Sequence, residues 1–376
     1  MLKSFKYRLF PTKKQITIML QTLDECRWLY NYFLEQRRKS WEENKQSLNY
    51  YTQIKTIPNL KKERPILLNI YSQVLQNVAM RVDLAFKAFF RRVKAKNGKA
   101  GYPRFKGKHR YDSFTYPQTG FEITNNGLKL SKIGDIKIKL HRPINGKIKT
   151  CTIKKSSTGK WYACFSVECK PNPLPKNEKA VGIDVGLESF ATFSNGEKIE
   201  NPHFFKTDQK ALAKAQRKLS KQKKGTPERE KVRKVVARIH ERISNRRHNL
   251  IHQISRKIVN RFGIICIEKL NIKGIQKGNF RSINRGIADV AWGQFARVLA
   301  SKAEEAGRKF IAVDPRNTSQ RCSQCGVIVK KDLSTRWHDC PICGCHLHRD
   351  DNASKNILAL GLQGLGIQSL KALQRE

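Results

Sequence analysis

The sequence predicts a multidomain protein of mixed α+β and α/β class: an N-terminal β-barrel with an inserted helical bundle, then an α/β domain with a small cysteine-rich insert. Three observations lead to this prediction. The 376 residues exceed the roughly 250–300 at which single hydrophobic cores usually stop growing. Apolar residues recur at helical spacing in some segments and alternate as in strands elsewhere. The stretch 171–179 contains three prolines and separates two such regions as a linker.

The first region begins with a strand and returns to strands after a helical stretch. Residues 3–11 alternate in polarity, and Thr12 then caps a helical pattern that continues to about residue 95. From 101 to 170 the period is two, with turn signals at Asn126-Gly127 and Ser157-Thr158-Gly159. The predicted barrel domain therefore comprises 1–11 and 97–170, and the helical insert comprises 12–96.

The second region starts with three predicted strands at 180–187, 188–194 and 197–201. A helical stretch, 206–261, is divided in two by Gly225-Thr226-Pro227. The remaining predicted elements are a strand at 262–270, an amphipathic helix at 287–306, a strand at 309–314 and a helix at 351–361. The predicted boundaries are 180–315 and 346–365 for the main domain, 316–345 for the insert and 366–376 for a C-terminal tail.

The charge of the chain indicates a polyanionic partner. Lysine and arginine total 76 against 30 acidic residues, a formal net charge of +46, far more than solubility needs. A membrane surface is not favoured, because no apolar run approaches 18 residues and the N-terminal residues do not show the pattern expected of a signal peptide. Ribosomal or histone-like basicity is the alternative, but 39% hydrophobic residues favour folded domains. Nucleic acid is therefore the predicted partner.

Paired cysteines in the insert predict a zinc ribbon. CSQC and CPIC each place two thiols on one turn, and a glycine follows each pair. Two such pairs can surround one tetrahedral Zn²⁺, and a site filled by four thiolates has a structural role. Cys345, His346 and His348 are interpreted as bystanders, and the other five cysteines as small buried side chains. The predicted zinc ligands are Cys322, Cys325, Cys340 and Cys343.

Three acids far apart in the sequence form the second predicted site. Asp184 and Glu268 interrupt apolar strands, where a carboxylate needs a cation or partner, and Asp350 or Asp351 begins the last helix, where an acid also suits an N-cap. Singly, each acid also fits a structural or solvated role. Their order is that of an RNase H-like nuclease. Carboxylates ~4 Å apart repel by about 4 kcal/mol per pair at an effective dielectric near 20, so two Mg²⁺ or Mn²⁺ ions are expected.

The quoted motifs resemble the TnpB family of transposon-encoded relatives of type V CRISPR nucleases. The resemblance includes GIDVGL at 182–187, IEKLNIKG at 267–274, the cysteine pairs, and HRDDNASKNI at 348–357. The N-terminal YRLFPTKKQ, YPRFKGKHR and SFTYP stretches are similar too. The family pattern Arg-Asp-x-Asn-Ala identifies Asp350 as the metal ligand and leaves Asp351 at the variable position. The chain departs from the family where Cys345 and His346 follow the last cysteine pair, and where LHRD replaces the more usual acid before arginine.

The resemblance implies an RNase H-like (RuvC) domain with an inserted zinc ribbon and an RNA-guided DNA endonuclease activity. A guide RNA from the transposon end would pair with one strand of target double-stranded DNA beside a short adjacent motif. Asp184, Glu268 and Asp350 would be the catalytic metal ligands of a single site. The resemblance predicts neither the oligomeric state nor the cut pattern.

The predicted nucleic-acid contacts fall into three groups. Aromatic and basic residues interleave near position 105, which suits stacking and phosphate contact, although the rings also fit packing on the barrel. The preceding helices contribute a tyrosine and two glutamines as candidates for reading the adjacent motif, and arginines on a face that is solvated or contacts phosphate. The helical stretch 206–261, with 19 basic and 4 acidic residues, suits the backbone of a heteroduplex. The predicted contacts are Tyr51, Gln73, Gln76, Arg81, Arg91, Arg92, Tyr102, Arg104, Phe105, Lys106, Lys108, Lys214, Arg217, Lys218, Lys221, Arg238, Arg242, Arg246 and Arg247.

Two other functions use the same features. One is a catalytically idle, guide-directed DNA-binding regulator, which the intact set of three acids disfavours. The other is a DNA transposase that uses these acids for strand transfer. RNase H-like folds serve both cleavage and transfer, so the fold alone does not decide between them.

Overall fold

A computed structural model describes residues 1–96, 98, 100–108, 110–125, 127–332 and 334–366. The predicted turn residue Asn126 and nearly all of the predicted tail 366–376 lie outside these residues. The chain divides into two compact units, Met1–Lys170 and Pro171–Glu376, and both mix helices with strands. The finer domain boundaries stay predictions. Within the described part, no helix is long and apolar enough to span a membrane.

The first unit contains one seven-stranded sheet in the order β2-β6-β7-β1-β5-β4-β3. The first strand of the chain lies near its centre, antiparallel to β7 and β5. Near the two edge strands, the Tyr116 hydroxyl donates to the Ser131 carbonyl oxygen at 3.0 Å, and the sheet forms a nearly closed barrel. Its strands are β1 (Leu2–Phe10), β2 (Ser113–Tyr116), β3 (Phe121–Thr124), β4 (Gly127–Leu130), β5 (Gly134–Lys139), β6 (Lys147–Lys155) and β7 (Trp161–Glu168).

Helices fill the sequence between β1 and β2. The Thr12 side chain accepts from the Gln15 amide and the Gln15 side chain accepts from the Thr12 amide, a capping box that starts the first helix as predicted. Buried Arg37 donates to Asp83 and Gln53, so the bundle interior contains a paired charge. The helices are α1 (Lys13–Asn44), α2 (Tyr50–Glu63), a 3-10 helix (Pro65–Asn69) and α3 (Ser72–Lys94).

The second unit contains a five-stranded mixed sheet in the order β10-β9-β8-β11-β12. The first three strands pair antiparallel, whereas β8, β11 and β12 run parallel. Parallel strands align their carboxyl ends at one edge of a sheet. The strands are β8 (Ala180–Asp184), β9 (Ser189–Phe193), β10 (Lys198–Glu200), β11 (Ile264–Glu268) and β12 (Lys309–Val313).

The predicted helices of this unit are present except at 287–306, and a short helix at Ile272–Lys277 was not predicted. Gly225-Thr226-Pro227 separates the two basic helices as predicted, and in the structure Thr226 caps the second helix and Pro227 is its first residue. The predicted single helix at 287–306 is wrong, because Ala291 adopts a left-handed backbone (φ +57°) that ends one helix and starts another. Ile287 and Phe295, on either side of this break, both pack into the core. The helices are α4 (Phe204–Ser220), α5 (Pro227–Arg261), α6 (Ile272–Lys277), α7 (Arg281–Val290), α8 (Trp292–Glu305) and α9 (Arg349–Gln363).

The cysteine-rich segment follows β12 and leads directly into α9. Its regular structure is a short antiparallel pair, β13 (Trp337–Asp339) and β14 (His346–His348). His348 caps α9 by accepting from the Asp350 amide. The prediction that Asp350 or Asp351 starts this helix is therefore off by one or two residues, and both acids lie in its first turn, where they favourably face the helix dipole.

Candidate active site and cysteine cluster

Two of the predicted acids end neighbouring parallel strands. Asp184 is the last residue of β8, rather than a mid-strand residue as predicted, and Glu268 is the last residue of β11. Ile267 pairs with Ile183 in register, so both carboxylates leave the sheet at the same edge. The local sequence produces buried β-branched strands, and their parallel pairing brings the two acids together.

The third acid, Asp350, lies on α9, which packs tightly against both strands. A Cβ at Gly182 would meet the backbone oxygen of Ser354 at 2.1 Å, and one at Gly361 would meet Cys266 Sγ at 2.1 Å. These two glycines therefore allow the helix to lie directly on β8 and β11. Asp350 Oδ2 lies 3.9 Å from the Cβ position of Gly186, two residues beyond Asp184.

The charges of the three acids interact. Burial raises the pKa of Asp184 well above its ordinary value, and the carboxylates of Glu268 and Asp350 raise it further. Burial also raises the pKa of Glu268, against the hydrogen bond from Thr318 and the positive charge of Arg349. A set of oxygen-only ligands with mutual repulsion fits a hard divalent cation.

The two adjacent acids of α9 face different partners. Asp351 Oδ2 lies 2.9 Å from Lys198 Nζ, so its charge is compensated within the protein. Asp350 Oδ2 lies 4.0 Å from His348 Nδ1 and acts electrostatically on Asp184. The geometry thus favours Asp350 as the acid that belongs with Asp184 and Glu268.

Two further residues of this site were not predicted from the sequence. The Thr318 hydroxyl donates to Glu268 Oε1. Arg349 acts on both Asp184 and Glu268 while its guanidinium donates to the Asp332 carbonyl and the Ser319 hydroxyl. No spacing or periodicity signal marks Thr318, whereas the position of Arg349 beside Asp350 was an available clue.

The predicted zinc cysteines come together in the cysteine-rich segment. Cys322 Sγ lies 3.6 Å from Cys343 Sγ, and Cys325 Sγ lies 3.5 Å from Cys340 Sγ. Among the described residues, these four form the one group of three or more His, Cys, Asp or Glu whose ligand atoms all lie within 4.8 Å of one another. The acidic site is therefore more widely spaced than the thiol cluster, and Cys345 is outside that cluster.

Backbone amides favour thiolates in this cluster. Burial raises the pKa of Cys322, but hydrogen bonds from the backbone of Cys325 and Gln324 outweigh it and lower that pKa to about 5. The backbone of Cys343 and Ile342 likewise lowers the pKa of Cys340. Backbone hydrogen bonds also favour the thiolates of Cys325 and Cys343, but burial and the neighbouring thiols outweigh them and raise both pKa values, that of Cys343 to about 12. Gly326 and Gly344 have left-handed backbones, φ +81° and +67°, which suits the turn after each cysteine pair. Four such sulfur ligands fit a tetrahedral Zn²⁺.

In the first unit, some of the predicted nucleic-acid contacts are hydrogen-bonded within the protein and others are exposed. The Arg81 guanidinium donates to the Ser113 carbonyl at 2.6 Å and to Thr115, and Gln73 accepts from the Thr119 amide. Both are engaged within the protein. Arg92 is exposed but donates to the Gly101 carbonyl oxygen at 3.0 Å, and Lys106 is half-buried. The other exposed residues of the predicted set are Tyr51, Gln76, Arg91, Tyr102, Arg104, Phe105 and Lys108.

A cavity of about 330 Å³ lies beside the aromatic and basic loop, and its lining combines rings with cations. Asn31 holds this loop through two hydrogen bonds with the Lys106 backbone, at 2.8 and 3.1 Å. The cavity is lined by Leu34, Arg38, Tyr102, Pro103, Arg104 and Phe105. A preformed pocket of this composition suits a stacked base.

The basic residues of α4 and α5 also divide into two groups. Arg242 and Arg246 pair with Asp208, which joins the two helices, and Arg247 pairs with Asp289 at 3.0 Å. These arginines hold the helices in place. The predicted contacts with exposed side chains and no acidic partner among the ion pairs described are Lys214, Arg217, Lys218, Lys221 and Arg238.

Three family models match parts of the chain. The one described as "Probable transposase" matches residues 164–278, which include Asp184 and Glu268. The "Cas12f1-like, TNB domain" model matches residues 292–357, which include the cysteine cluster and Asp350. A "Helix-turn-helix domain" model matches residues 1–46, which contain β1 and the single helix α1 in this structure.

Two relatives match over nearly their whole length. A protein of Streptomyces pristinaespiralis described as "Putative RNA-guided DNA endonuclease" is 34% identical over 368 residues, covering 96% of this chain and 89% of its own. "Putative RNA-guided DNA endonuclease InsQ" of Escherichia coli (strain K12) is 30% identical over 397 residues, covering 100% of this chain and 97% of its own. Among solved structures, the mini-RNA-guided endonuclease CRISPR-Cas_phi3 shares the fold, with a TM-score of 0.50, 9% identity, and coverage of 96% of this chain and 92% of that one.

Proposed function

The chain belongs to the OrfB/TnpB family, and from this premise we propose that it is an RNA-guided DNA endonuclease that cleaves double-stranded DNA beside a short adjacent motif. The observation that carries the proposal is the edge of the mixed sheet where Asp184, Glu268 and Asp350 act on one another. Full-length similarity to proteins described as RNA-guided DNA endonucleases supports the activity. A location beside DNA in a prokaryotic cytoplasm would follow from it.

The proposed chemistry is phosphodiester hydrolysis in a RuvC-like site. Asp184, Glu268 and Asp350 would hold two Mg²⁺ or Mn²⁺ ions, which activate a water and stabilise the leaving oxygen when bound. The protein supplies the arrangement: β8 and β11 hold two carboxylates at one edge, and the close packing of α9 adds the third. Arg349 keeps a positive charge beside the acids, which favours their ionised, ligand-competent forms.

The four cysteines would hold a structural Zn²⁺. Their sulfur atoms already lie within tetrahedral reach of one another, and the backbone amides that lower the pKa of Cys322 and Cys340 prepare thiolates for binding. The zinc would stabilise the fold of this segment, because its short strand pair alone buries little surface.

The proposed partners are a guide RNA from the transposon end and the target DNA. The exposed basic residues of α4 and α5 would contact phosphates, with a steep salt dependence of binding, and the cavity beside Tyr102 and Phe105 would take an unpaired base. The first contact recognises phosphates and the second recognises the face of a base ring, so neither reads a base sequence. Such contacts suit a protein whose target sequence is read by base pairing.

The decisive experiment is co-expression of the protein with the flanking transposon end on one transcript. The purified complex is then given a plasmid library with a randomised adjacent motif and Mg²⁺, and wild type is compared with Asp184→Ala. Bound RNA together with cleavage lost in the variant is the expected result. Bound RNA without cleavage by either protein would favour the idle regulator, and joined rather than cut DNA ends would favour the transposase described above.

A further inference from the structure

We infer that Thr318 is a positioning residue for Glu268, and that α9 and the first cysteine pair hold Thr318 in place. This inference rests on the proposed function, since it assigns a role to a residue that serves one of the three acids. Thr318 contacts one of the three acids and lies four residues before Cys322, the first of the four cysteines.

The first step is the contact between the threonine and the acid. The Thr318 hydroxyl lies close to Glu268 Oε1 and 3.0 Å from the Pro315 carbonyl oxygen. A hydroxyl has one proton to donate, and the shorter contact to a carboxylate is the charge-assisted one. Thr318 is only 4% exposed, so water does not compete freely for this hydrogen bond. It restrains one oxygen of Glu268.

The second step is what holds Thr318. The Asn356 side chain donates to the Thr318 carbonyl oxygen at 2.8 Å and to the Arg321 carbonyl oxygen at 2.6 Å. Asn352 donates to the same Arg321 oxygen at 2.7 Å. The two asparagines are 5% and 0% exposed, and buried amides with satisfied hydrogen bonds specify one local arrangement. The loop before the cysteines is therefore fastened to α9.

The third step links this loop to the cysteine cluster. The Ser323 amide donates to Asn352 Oδ1 at 2.9 Å, and Ser323 lies between the first two cysteines. The same asparagine thus bonds both the loop and the turn that bears Cys322. Since α9 also carries Asp350 and packs directly on the strands of Asp184 and Glu268, one helix aligns Thr318 with all three acids.

This arrangement predicts a specific defect when the hydroxyl is lost. A residue that orients a metal ligand typically changes metal affinity or activity by about 10–100-fold when it is replaced. Thr318→Val keeps the branched shape and removes the hydroxyl, whereas Thr318→Ser keeps the hydroxyl and removes the methyl group. Thr335→Val is the matched control, because Thr335 is an exposed threonine of the same segment.

The experiment measures cleavage by the RNA-bound, full-length protein as a function of Mg²⁺ concentration. We expect Thr318→Val to raise the half-saturating Mg²⁺ concentration about tenfold, while target affinity, zinc content and melting temperature stay near those of wild type. Thr318→Ser and Thr335→Val should match wild type. A purely structural role for Thr318 would not produce a Mg²⁺ dependence that serine restores.

Two outcomes would overturn the inference. One is a Thr318→Val protein with the Mg²⁺ dependence of wild type, and the other is an equal defect in the valine and serine variants, which would indicate packing. Failure of the proposed function is distinguishable from both, because wild type itself would then show no Mg²⁺-dependent cleavage.

Discussion

The acidic site and the cysteine cluster of the second unit both gather metal-ligand side chains, but they are assembled differently. The four cysteines lie within 22 residues, 322–343, and each pair shares one turn. Asp184 ends one strand, Glu268 ends a second strand 84 residues later, and Asp350 lies in a helix 82 residues after Glu268. The thiols approach to 3.5–3.6 Å, whereas the acids remain more widely spaced, and burial penalises Asp184.

The difference indicates different tasks. Amide hydrogen bonds lower the pKa of Cys322 and Cys340, whereas burial and the neighbouring thiols raise the pKa of Cys325 and Cys343. A bound cation would hold all four as thiolates, so the cluster suits a metal that stays. The negative charge of the three acids is compensated less by the surrounding protein. A site with uncompensated negative charge can bind and release cations while it acts on a phosphate. We therefore propose a structural role for the cysteines and a chemical role for the acids.

The largest expected effect separates the two adjacent acids of α9. Asp350→Asn should lower the cleavage rate by about 10³-fold, the scale seen when a group that stabilises transition-state charge is removed. Asp351→Asn, the matched control, should retain activity within about threefold, since it removes a partly exposed ion pair with Lys198. Plasmid cleavage by the RNA-bound proteins at saturating Mg²⁺ measures both. Equal loss in the two variants would contradict the assignment of Asp350.

The next effect concerns the cysteines. Cys340→Ser should lower the zinc content well below one ion per chain and reduce the melting temperature by about 5–10 °C, as expected for loss of several kcal/mol from a domain of this size. Cys345→Ser should retain its zinc, because Cys345 is outside the four-thiol group. Elemental analysis and thermal melting of the purified proteins check this. Full zinc retention by Cys340→Ser would remove the proposed site.

The smallest effect is a pH dependence of stability in the metal-free protein. The folded pKa of Asp184 is raised above the unfolded value near 3.9. Between these two values the folded state holds more protons than the unfolded state, so stability falls as pH rises. Asp184→Asn removes this penalty and should melt a few degrees above wild type at pH 7–8, with no such gain below about pH 4.

Added Mg²⁺ should reduce the difference in melting temperature between wild type and Asp184→Asn, because it stabilises wild type. Asp351→Asn provides the contrast, since its carboxylate is paired with Lys198 and its removal should not stabilise the protein at high pH. Equal melting temperatures for wild type and Asp184→Asn at pH 8 without Mg²⁺ would contradict the electrostatic account of the acidic site. The cysteine cluster should respond in the opposite direction, because protons compete with zinc for thiolates at low pH.

Local sequence patterns predicted much of the fold. Period-two and helical spacing predicted the strands and most helices, and paired cysteines predicted their own cluster. The structure also confirms the helix start predicted at Thr12 and the division between two helices predicted at Gly225-Thr226-Pro227. Local patterns did not reveal the break at Ala291, because alanine favours helices and packing of α7 and α8 on one core overrides that preference.

The sequence by itself determined the features whose partners are near in the chain: charge balance, element types, helix caps and the thiol cluster. Only the tertiary structure decided which long-range contacts form. It brought Thr318 to Glu268, paired Asp351 with Lys198 while Asp350 faces Asp184, and engaged Arg81, Arg242 and Arg247 within the protein. These choices depend on strand register and on the close packing of α9 at glycines. Such packing is a property of the assembled sheet and helix, and no local spacing encodes it.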